Sequence, residues 1–223
     1  MASVVVCVPW RGGDAQRERN WNTVRPWLES LGYPIFLGDR EGPWSRAAAC
    51  NSAARAAGSW DVAIFADADT LGEEDALRRA VDTVISTAGA VRPHDKLWNL
   101  SLLETKTVYA RGPYSLRWHP KRRLLLGGGL LVVSRKAWEK VGGHDERFIG
   151  WGHEDSALNT RLLVEASWDR IDGNAWHLWH RRDPKDTPER QANLRMMHQL
   201  QDDYRVEIEK QSTLRGWDIG QVL

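Results

Sequence analysis

The chain has 223 residues, of which 42% are hydrophobic and 27% charged, and its formal net charge is +1. This composition excludes intrinsic disorder and is typical of a soluble globular protein with one well-buried core. The charge gives no general reason to expect a nucleic-acid partner, and the apolar opening SVVVCV is too short for a stable membrane anchor. Because Cys7 and Cys50 lie in an apolar and an Ala-rich segment, we predict two buried free thiols and a cytoplasmic protein.

Short β-branched runs alternate with helical patterns in the first half of the chain. We predict strands at 3–8, in YPIFLGD and in DVAIFADAD, and helices after Asp14, in SRAAACNSAARAAG and over 73–87. This order predicts a parallel sheet with helices on its faces. Such sheets bind ligands outside the carboxyl ends of their strands, where the turn from Pro9 to Asp14 falls, together with Asp39, Asp67 and Asp69.

The second half is less regular. The polar segment 92–123 contains aromatic residues without clean periodicity, so we expect a loop or lid that is mobile over 97–123 without ligand. Next come a strand interrupted by three glycines in LLLGGGLLVVS, a short helix in RKAWEKVGG and a helix that opens with Glu154 and Asp155. AWHLWH is predicted to be a strand, and the residues from Pro188 onward are predicted to be helical.

FADAD places Asp67 and Asp69 two positions apart at the end of a predicted strand. In a continuing strand both side chains would point to the same face, where two anions repel each other unless a cation lies between them. Oxygen ligands in this arrangement suit a hard divalent cation such as Mg²⁺ or Mn²⁺, which also takes phosphate oxygens. The alternative is that the two aspartates only form a turn and cap the next helix.

Two further motifs offer polar side chains. His177 and His180 are three positions apart in the predicted strand AWHLWH, so they should face opposite sides, and at most one should reach a shared metal. GWGHED places Trp151 between glycines, just before Glu154 and Asp155 at a helix start. There the peptide dipoles should keep both carboxylates ionised, as deprotonation of a sugar hydroxyl requires. The alternative is a capped helix with a core tryptophan.

Three segments in this order resemble the GT-A glycosyltransferases: FADAD, GGGLLVVSRKAWEKVGGHDERFIGWGHED and HLWHRRDPKDTPERQ. The likeness covers residues 3–190 and is closest to the β-1,4-galactosyltransferase and polypeptide N-acetylgalactosaminyltransferase branches. It implies an α/β fold of the GT-A (Rossmann-like) type, with a mixed, mainly parallel sheet and helices on both faces. We expect a single domain over 1–223, with a nucleotide-binding half at 1–90, a donor-sugar and acceptor half at 91–187 and a C-terminal helical extension at 188–223.

The resemblance also implies a donor and metal site. Asp67 and Asp69 would hold Mn²⁺ (or Mg²⁺) and the diphosphate or ribose of a UDP-sugar. His180 is implied as the later metal ligand in preference to His177, because the run RRDPKDTPERQ that follows it resembles the galactosyltransferase segment after the ligand histidine. The other implied donor-binding residues are Pro9, Arg11, Asp39, Arg46, Gly128, Gly129 and Trp151.

Catalytic roles follow from the same likeness. Glu154 would hydrogen-bond a sugar, and Asp155 matches the acid that serves as base in the inverting galactosyltransferases. The expected activity is transfer of a hexose of the galactose, glucose or N-acetylgalactosamine type to a hydroxyl of a protein or saccharide acceptor. One alternative is a sugar nucleotidyltransferase, although PWRGGD offers no lysine for a triphosphate. The other is a non-catalytic carbohydrate- or metal-binding module, which would have no need for Asp155.

Overall fold

The computed structural model describes residues 2–116, 128–181 and 187–217. In these ranges the strands are β1 (Val4–Pro9), β2 (Ile35–Gly38), β3 (Val62–Ala66), β4 (Thr70–Gly72), β5 (Ala90–Arg92), β6 (Lys96–Asn99), β7 (Leu130–Ser134), β8 (Trp168–Arg170) and β9 (Asn174–His177). The helices are α1 (Ala15–Ser30), α2 (Arg46–Ala56), α3 (Glu74–Thr87), α4 (Leu102–Arg111), α5 (Arg135–Val141), α6 (Glu154–Glu165), α7 (Pro188–Asp203) and α8 (Arg205–Arg215).

The described strands form two sheets. The larger has the order β2-β1-β3-β7-β5-β8, and the smaller has the order β4-β9-β6. In the larger sheet β1 pairs in parallel with both β2 and β3, whereas β7 runs antiparallel to β3 and β5. The predicted mixed, mainly parallel sheet is therefore confirmed. Because β1, β2 and β3 are parallel, the residues that follow them meet at one edge.

Helices cover both faces of the larger sheet, as expected. Val6 and Val8 of β1 pack into a core that includes residues of α1 and α3, whereas Val5 and Cys7 pack into a second core with residues of α2, α5, α6 and α8. Successive side chains of a strand point to opposite faces, so a continuous apolar run such as VVVCV fits a strand buried on both sides. Both cysteines are buried and free.

The Ala-rich helix α2 packs unusually closely on the sheet. A Cβ atom at Gly38, the last residue of β2, would lie 2.0 Å from the carbonyl oxygen of Ala49 and 2.4 Å from the nitrogen of Ala53. Only glycine fits this contact between backbones, and alanine on the facing helix keeps the separation small. The packing places Arg46, the first residue of α2, beside the carboxyl edge of the sheet.

One expectation for the second half is wrong. Residues 96–116 are not a loop: they form β6, α4 and a 3₁₀ helix at Pro113–Ser115. Helix α4 begins with a capping box, in which the Glu104 amide donates to Ser101 Oγ and the Ser101 amide donates to the Glu104 carboxylate. This signal is visible in SLLE but was hidden by the lack of apolar periodicity. The rest of the predicted lid, residues 117–123, lies outside the described residues.

None of the described helices is long and apolar enough to cross a membrane.

Candidate active site

A cavity of about 400 Å³ opens at the carboxyl edge of β1 and β3. It collects residues from both halves of the chain, including most of the predicted site residues. The lining residues that the sequence predicted are Pro9, Arg11, Arg46, Asp67, Asp69, Trp151, His177 and His180. The others are Trp10, Gly12, Gly13, Asp14, Arg17, Trp44 and Ala68. The cavity therefore combines carboxylates, imidazoles, guanidinium groups and indole rings.

Arg11 and Asp39 form an ion pair next to this cavity. The Arg11 Nε atom lies 2.9 Å from both carboxylate oxygens of Asp39, and the Arg11 guanidinium carbon lies 5.2 Å from the centre of the Trp44 ring. The hydrogen bond from Arg11 lowers the pKa of Asp39. Asp39 directly follows β2 and Arg11 follows β1, so the parallel pairing of these strands brings the two residues together.

Asp69, His177 and His180 form a cluster of potential metal ligands. One ligand atom of each residue lies within 4.8 Å of the others. The Nε2 atom of His177 is 3.6 Å from Asp69 Oδ1, and the Nε2 atom of His180 is 3.4 Å from Asp69 Oδ2. One carboxylate oxygen and two imidazole nitrogens are a donor set that fits a divalent transition metal such as Mn²⁺.

The two histidines meet because the strand ends between them. Strand β9 stops at His177, and the irregular segment 178–180 places the two imidazole rings 5.1 Å apart. The expectation that they face opposite sides assumed a strand continuing through His180, and it is wrong for this reason. His180 Nδ1 lies 2.8 Å from the Arg181 carbonyl oxygen, a contact in which Nδ1–H donates. The Nε2 atom of His180 faces Asp69, and in a neutral imidazole with the proton on Nδ1 it offers a lone pair to a metal.

Asp67 and Asp69 do not share one partner. Asp67 follows the last residue of β3, and a turn closed by the Thr70 amide and the Asp67 carbonyl separates the two carboxylates. Asp67 accepts from the Arg46 guanidinium, with Nε and NH2 both 2.6 Å from Oδ1. The two aspartates therefore do not face one shared cation. The Arg46 guanidinium neutralises Asp67, while Asp69 faces the two histidines. Asp67 is not part of the described metal-ligand cluster.

Asp155 lies beyond Arg46, in a small cleft that also contains Gly128 and Gly129. The NH1 group of Arg46 donates to the Asp155 carboxylate, so one guanidinium joins Asp67 to Asp155. Burial raises the pKa of Asp155 to about 7, although Arg46 acts in the opposite direction. The expectation that the start of α6 keeps this carboxylate ionised underestimated desolvation, which here exceeds the influence of the helix.

Glu154, Gly128 and Gly129 lie outside the lining of the main cavity, and their expected contacts with a sugar stay predictions. Glu154 is 6% exposed, its carboxylate accepts from the Gly152 amide, and it is not among the residues that line the main cavity. Burial raises its pKa as well. A Cβ atom at Gly128 would lie 2.0 Å from Asp155 Oδ2, so this glycine allows the carboxylate to approach the backbone.

Trp151 lines the cavity and keeps 37% of its surface exposed. The turn that carries it has an unusual backbone, because φ is positive at Gly150 (74°), Gly152 (109°) and His153 (74°). A left-handed conformation is unfavourable for a residue with a Cβ atom such as His153. The surrounding contacts must therefore hold the turn in place.

Helix α7 supplies those contacts. The buried Asn193 amide donates to the carbonyl oxygens of Ile149, at 2.9 Å, and Gly152, at 3.1 Å, so it spans the Trp151 turn. The Arg190 guanidinium carbon lies 4.8 Å from the centre of the Trp151 ring. One face of the indole is thus packed against α7.

Comparisons with known proteins show similarity to galactosyltransferases. The model of a family described as the N-terminal domain of galactosyltransferase matches residues 115–169, about a quarter of the chain. The matched range includes Gly128, Gly129, Trp151, Glu154 and Asp155. None of the curated protein sequences compared with the chain matches it.

Solved structures match over most of the chain. The catalytic domain of Drosophila β1,4-galactosyltransferase 7, in complex with xylobiose, has a TM-score of 0.58 and 18% identity, covering 87% of this chain and 80% of that one. A mutant of that enzyme with manganese, UDP-Gal and xylobiose has a TM-score of 0.58 and 17% identity, covering 86% and 79%. GalNAc-T7 with UDP, GalNAc and Mn²⁺ has a TM-score of 0.55 and 13% identity, covering 90% and 41%. The fold is that of the GT-A glycosyltransferases.

Two lining residues of this GT-A fold lie outside the site segments predicted from the sequence. Trp44 precedes α2, and Arg17 lies in the first turn of α1. Arg17 differs from Arg11 and Arg46 because no hydrogen bond or ion pair of its guanidinium is found within 2–116, 128–181 and 187–217. Its position one turn after PWRGGD was a usable signal, since α1 had been predicted to begin there.

Proposed function

We propose that the protein is a divalent-metal-dependent glycosyltransferase that transfers a hexose from a UDP-sugar to a hydroxyl acceptor. The observation that carries the proposal is the cluster of Asp69, His177 and His180 on the wall of the same cavity as Arg46, which pairs with Asp155. The metal ligands suit stabilisation of the leaving diphosphate, and the Asp155 carboxylate, with a pKa near neutrality, suits removal of the acceptor proton. The GT-A fold supports the assignment.

Asp69, His177 and His180 would hold Mn²⁺, with positions left for diphosphate oxygens. The bound metal would neutralise charge that develops on the leaving diphosphate. The manganese and UDP-Gal in the structure of the β1,4-galactosyltransferase 7 mutant are consistent with this assignment. Asp67, which the sequence also suggested as a ligand, would instead act through Arg46.

The donor would lie along the cavity. Arg11, held by Asp39 and packed near Trp44, offers hydrogen-bond donors and an aromatic surface to the nucleoside. The Arg17 guanidinium, which lines the cavity, would bind a phosphoryl group, because charge-assisted hydrogen bonds to phosphate are strong. Trp151 would place its exposed indole face against a sugar ring.

Asp155 would act as the general base. The acceptor oxygen attacks the anomeric carbon, the bond from that carbon to the diphosphate oxygen breaks, and the hydroxyl proton passes to the Asp155 carboxylate. A base with a pKa near 7 is well matched to this task at neutral pH. Arg46 would orient the carboxylate and stabilise its ionised form. The assignment of residues 1–90 to the nucleotide and 91–187 to the sugars remains a prediction.

The test is donor hydrolysis with a panel of UDP-hexoses and Mn²⁺. We expect slow release of UDP that depends on Mn²⁺ and is lost in Asp69→Asn. Asp202→Asn, at an exposed residue of α7, is the control that should release UDP at the wild-type rate. A nucleotidyltransferase would instead release no UDP and, once pyrophosphate is added, would convert the UDP-hexose to UTP and a hexose 1-phosphate. Binding of the sugar without any product would indicate a carbohydrate-binding module.

A further inference from the structure

The short segment between the two histidines is fixed by two buried side chains from distant parts of the chain. The Trp179 amide donates to Thr105 Oγ1 at 2.8 Å, and Asn20 Nδ2 donates to the Trp179 carbonyl oxygen at 3.2 Å. Asn20 and Thr105 are both 0% exposed. We call this pair the Trp179 clamp. It satisfies both backbone groups of the residue that immediately precedes His180.

The same segment is tied to Asp69 on its other side. The Leu178 amide donates to the Asp69 carbonyl oxygen at 2.8 Å, and β4 pairs with β9 so that Thr70 lies opposite His177. The backbone of the metal-ligand aspartate and the backbone of the histidine segment are therefore joined directly. The Trp179 clamp then determines how the chain continues past His177 to His180.

The Asn20 side chain is itself held in one orientation. Its Oδ1 atom accepts from the Tyr109 hydroxyl and from Gln16 Nε2, so its amide nitrogen faces the Trp179 carbonyl oxygen. Asn20 and Gln16 belong to α1, whereas Thr105 and Tyr109 belong to α4. Two helices thus support this segment through a partly buried polar network in which Gln16, Asn20 and Tyr109 hydrogen-bond one another.

The need for such a clamp follows from the chain geometry. Side chains three positions apart in a strand face opposite sides, so both histidines reach Asp69 only if the backbone leaves the strand after His177 in one particular direction. A turn that samples several conformations would have to become ordered when a metal binds, which lowers affinity. A turn that is already ordered avoids this cost.

We propose that Asn20 and Thr105 are positioning residues of the metal site and that they hold His180 within reach of the metal bound by Asp69 and His177. The inference rests on the metal site of the proposed function but concerns residues that touch neither metal nor substrate. Groups that orient metal ligands without touching the metal typically change metal affinity by about 10- to 100-fold when they are removed.

The test measures Mn²⁺ affinity without nucleotide, by electron paramagnetic resonance of the free ion. Thr105→Val keeps the size of the side chain but removes the acceptor, and we expect Mn²⁺ affinity to fall about 10- to 100-fold. Thr105→Ser restores a hydroxyl and should recover most of the affinity. Asn20→Ala removes the other half of the clamp and should weaken binding by a similar factor, which keeps the inference testable if one variant does not fold.

Asn51→Ala is the matched control. The Asn51 amide is also buried and also pins a turn, because it donates to the His144 carbonyl oxygen at 2.9 Å, but it has no contact with the histidine segment. Its loss should lower the unfolding temperature while leaving Mn²⁺ affinity within about twofold of the wild type. Wild-type Mn²⁺ affinity in folded Thr105→Val and Asn20→Ala, or equal losses in Asn51→Ala, would overturn the positioning role alone. Absence of Mn²⁺ binding in the wild type would overturn the metal site itself.

Discussion

The two halves of the chain position the site residues in different ways. In the first half, Pro9 ends β1, Asp39 follows β2 and Asp67 follows β3, so each lies at the carboxyl end of a parallel strand. Backbone hydrogen bonds of the sheet determine these positions. In the second half, Trp151 and His180 come from turns outside the strands and are held by side chains of other elements.

This difference indicates which substitutions should impair the site most readily. The Trp151 turn depends on Asn193, and the His180 turn depends on Asn20 and Thr105. Removing one such partner leaves a buried backbone group unsatisfied, at a cost of about 1–3 kcal/mol. We therefore expect substitutions that support the second half of the site to impair function more readily than substitutions around the strand ends.

The largest expected effect is at Asp155. Asp155→Asn keeps the size of the side chain but removes the base, so transfer to acceptor should fall by roughly 10²- to 10⁴-fold while UDP-sugar affinity changes little. Single-turnover transfer and calorimetric donor binding measure the two quantities. Asp145→Asn, in the preceding turn, is the control and should transfer normally. Near wild-type transfer by Asp155→Asn would show that Asp155 is not the general base.

The metal ligands come next. His177→Ala and His180→Ala should each lower Mn²⁺ affinity by roughly 100-fold or more, because each removes a ligand rather than a group that orients one. The measurement is the free Mn²⁺ signal at increasing protein concentration. Wild-type affinity in His177→Ala would support the strand-based prediction that at most one of the two histidines binds the metal, and the family resemblance that favours His180.

The support of the Trp151 turn should show in donor binding. Asn193→Ala should weaken binding of UDP-sugar by roughly tenfold, the equivalent of one lost hydrogen bond, while binding of UDP, which carries no sugar, should change little. Calorimetric titrations with UDP-sugar and with UDP in the presence of Mn²⁺ separate these quantities, and Asn51→Ala controls for a general loss of stability. An unchanged affinity for UDP-sugar would mean that the turn keeps its conformation without this contact to α7, and the contrast between the two halves would weaken.

Arg17 tests the first half of the site. Arg17→Gln should weaken binding of UDP in the presence of Mn²⁺ by roughly tenfold, because it removes one charge-assisted contact to phosphate. Binding of uridine, which has no phosphate, should not change. The matched control is Arg19→Gln on the same helix, because Arg19 packs over Tyr109 and does not line the cavity. An equal loss for UDP and uridine would place Arg17 at the nucleoside instead.

The last prediction concerns stability and needs no ligand. Because burial raises the pKa of Asp155 to about 7, the folded protein keeps a proton that the unfolded chain has lost between about pH 4 and pH 7. The contribution of Asp155 to stability should therefore decrease as pH rises through this window, by at most about 1.4 kcal/mol per pH unit. Asp155→Asn should become progressively more stable than the wild type in urea unfolding over the same range. A constant difference would contradict the raised pKa.

Local sequence patterns were sufficient to predict the alternating first half of the fold and the position of its polar residues. β-branched runs, Ala-rich and amphipathic helices and the Asp14 cap are local signals, and the parallel order of the strands brings their ends to one edge. The second half also carried a local signal for α4 in SLLE, and the start of α6 at Glu154 was found in the same way.

Contacts between residues distant in sequence set which group each charged residue faces, and local patterns did not predict them. Asp67 and Asp69 are two positions apart, yet one pairs with Arg46 and the other lies beside two histidines. The spacing of two residues predicts which way their side chains point only while a helix or strand continues. Asp67 and Asp69 follow the end of β3, and His180 follows the end of β9. Beyond that point, hydrogen bonds between residues distant in sequence set the backbone, and burial sets the pKa of Asp155.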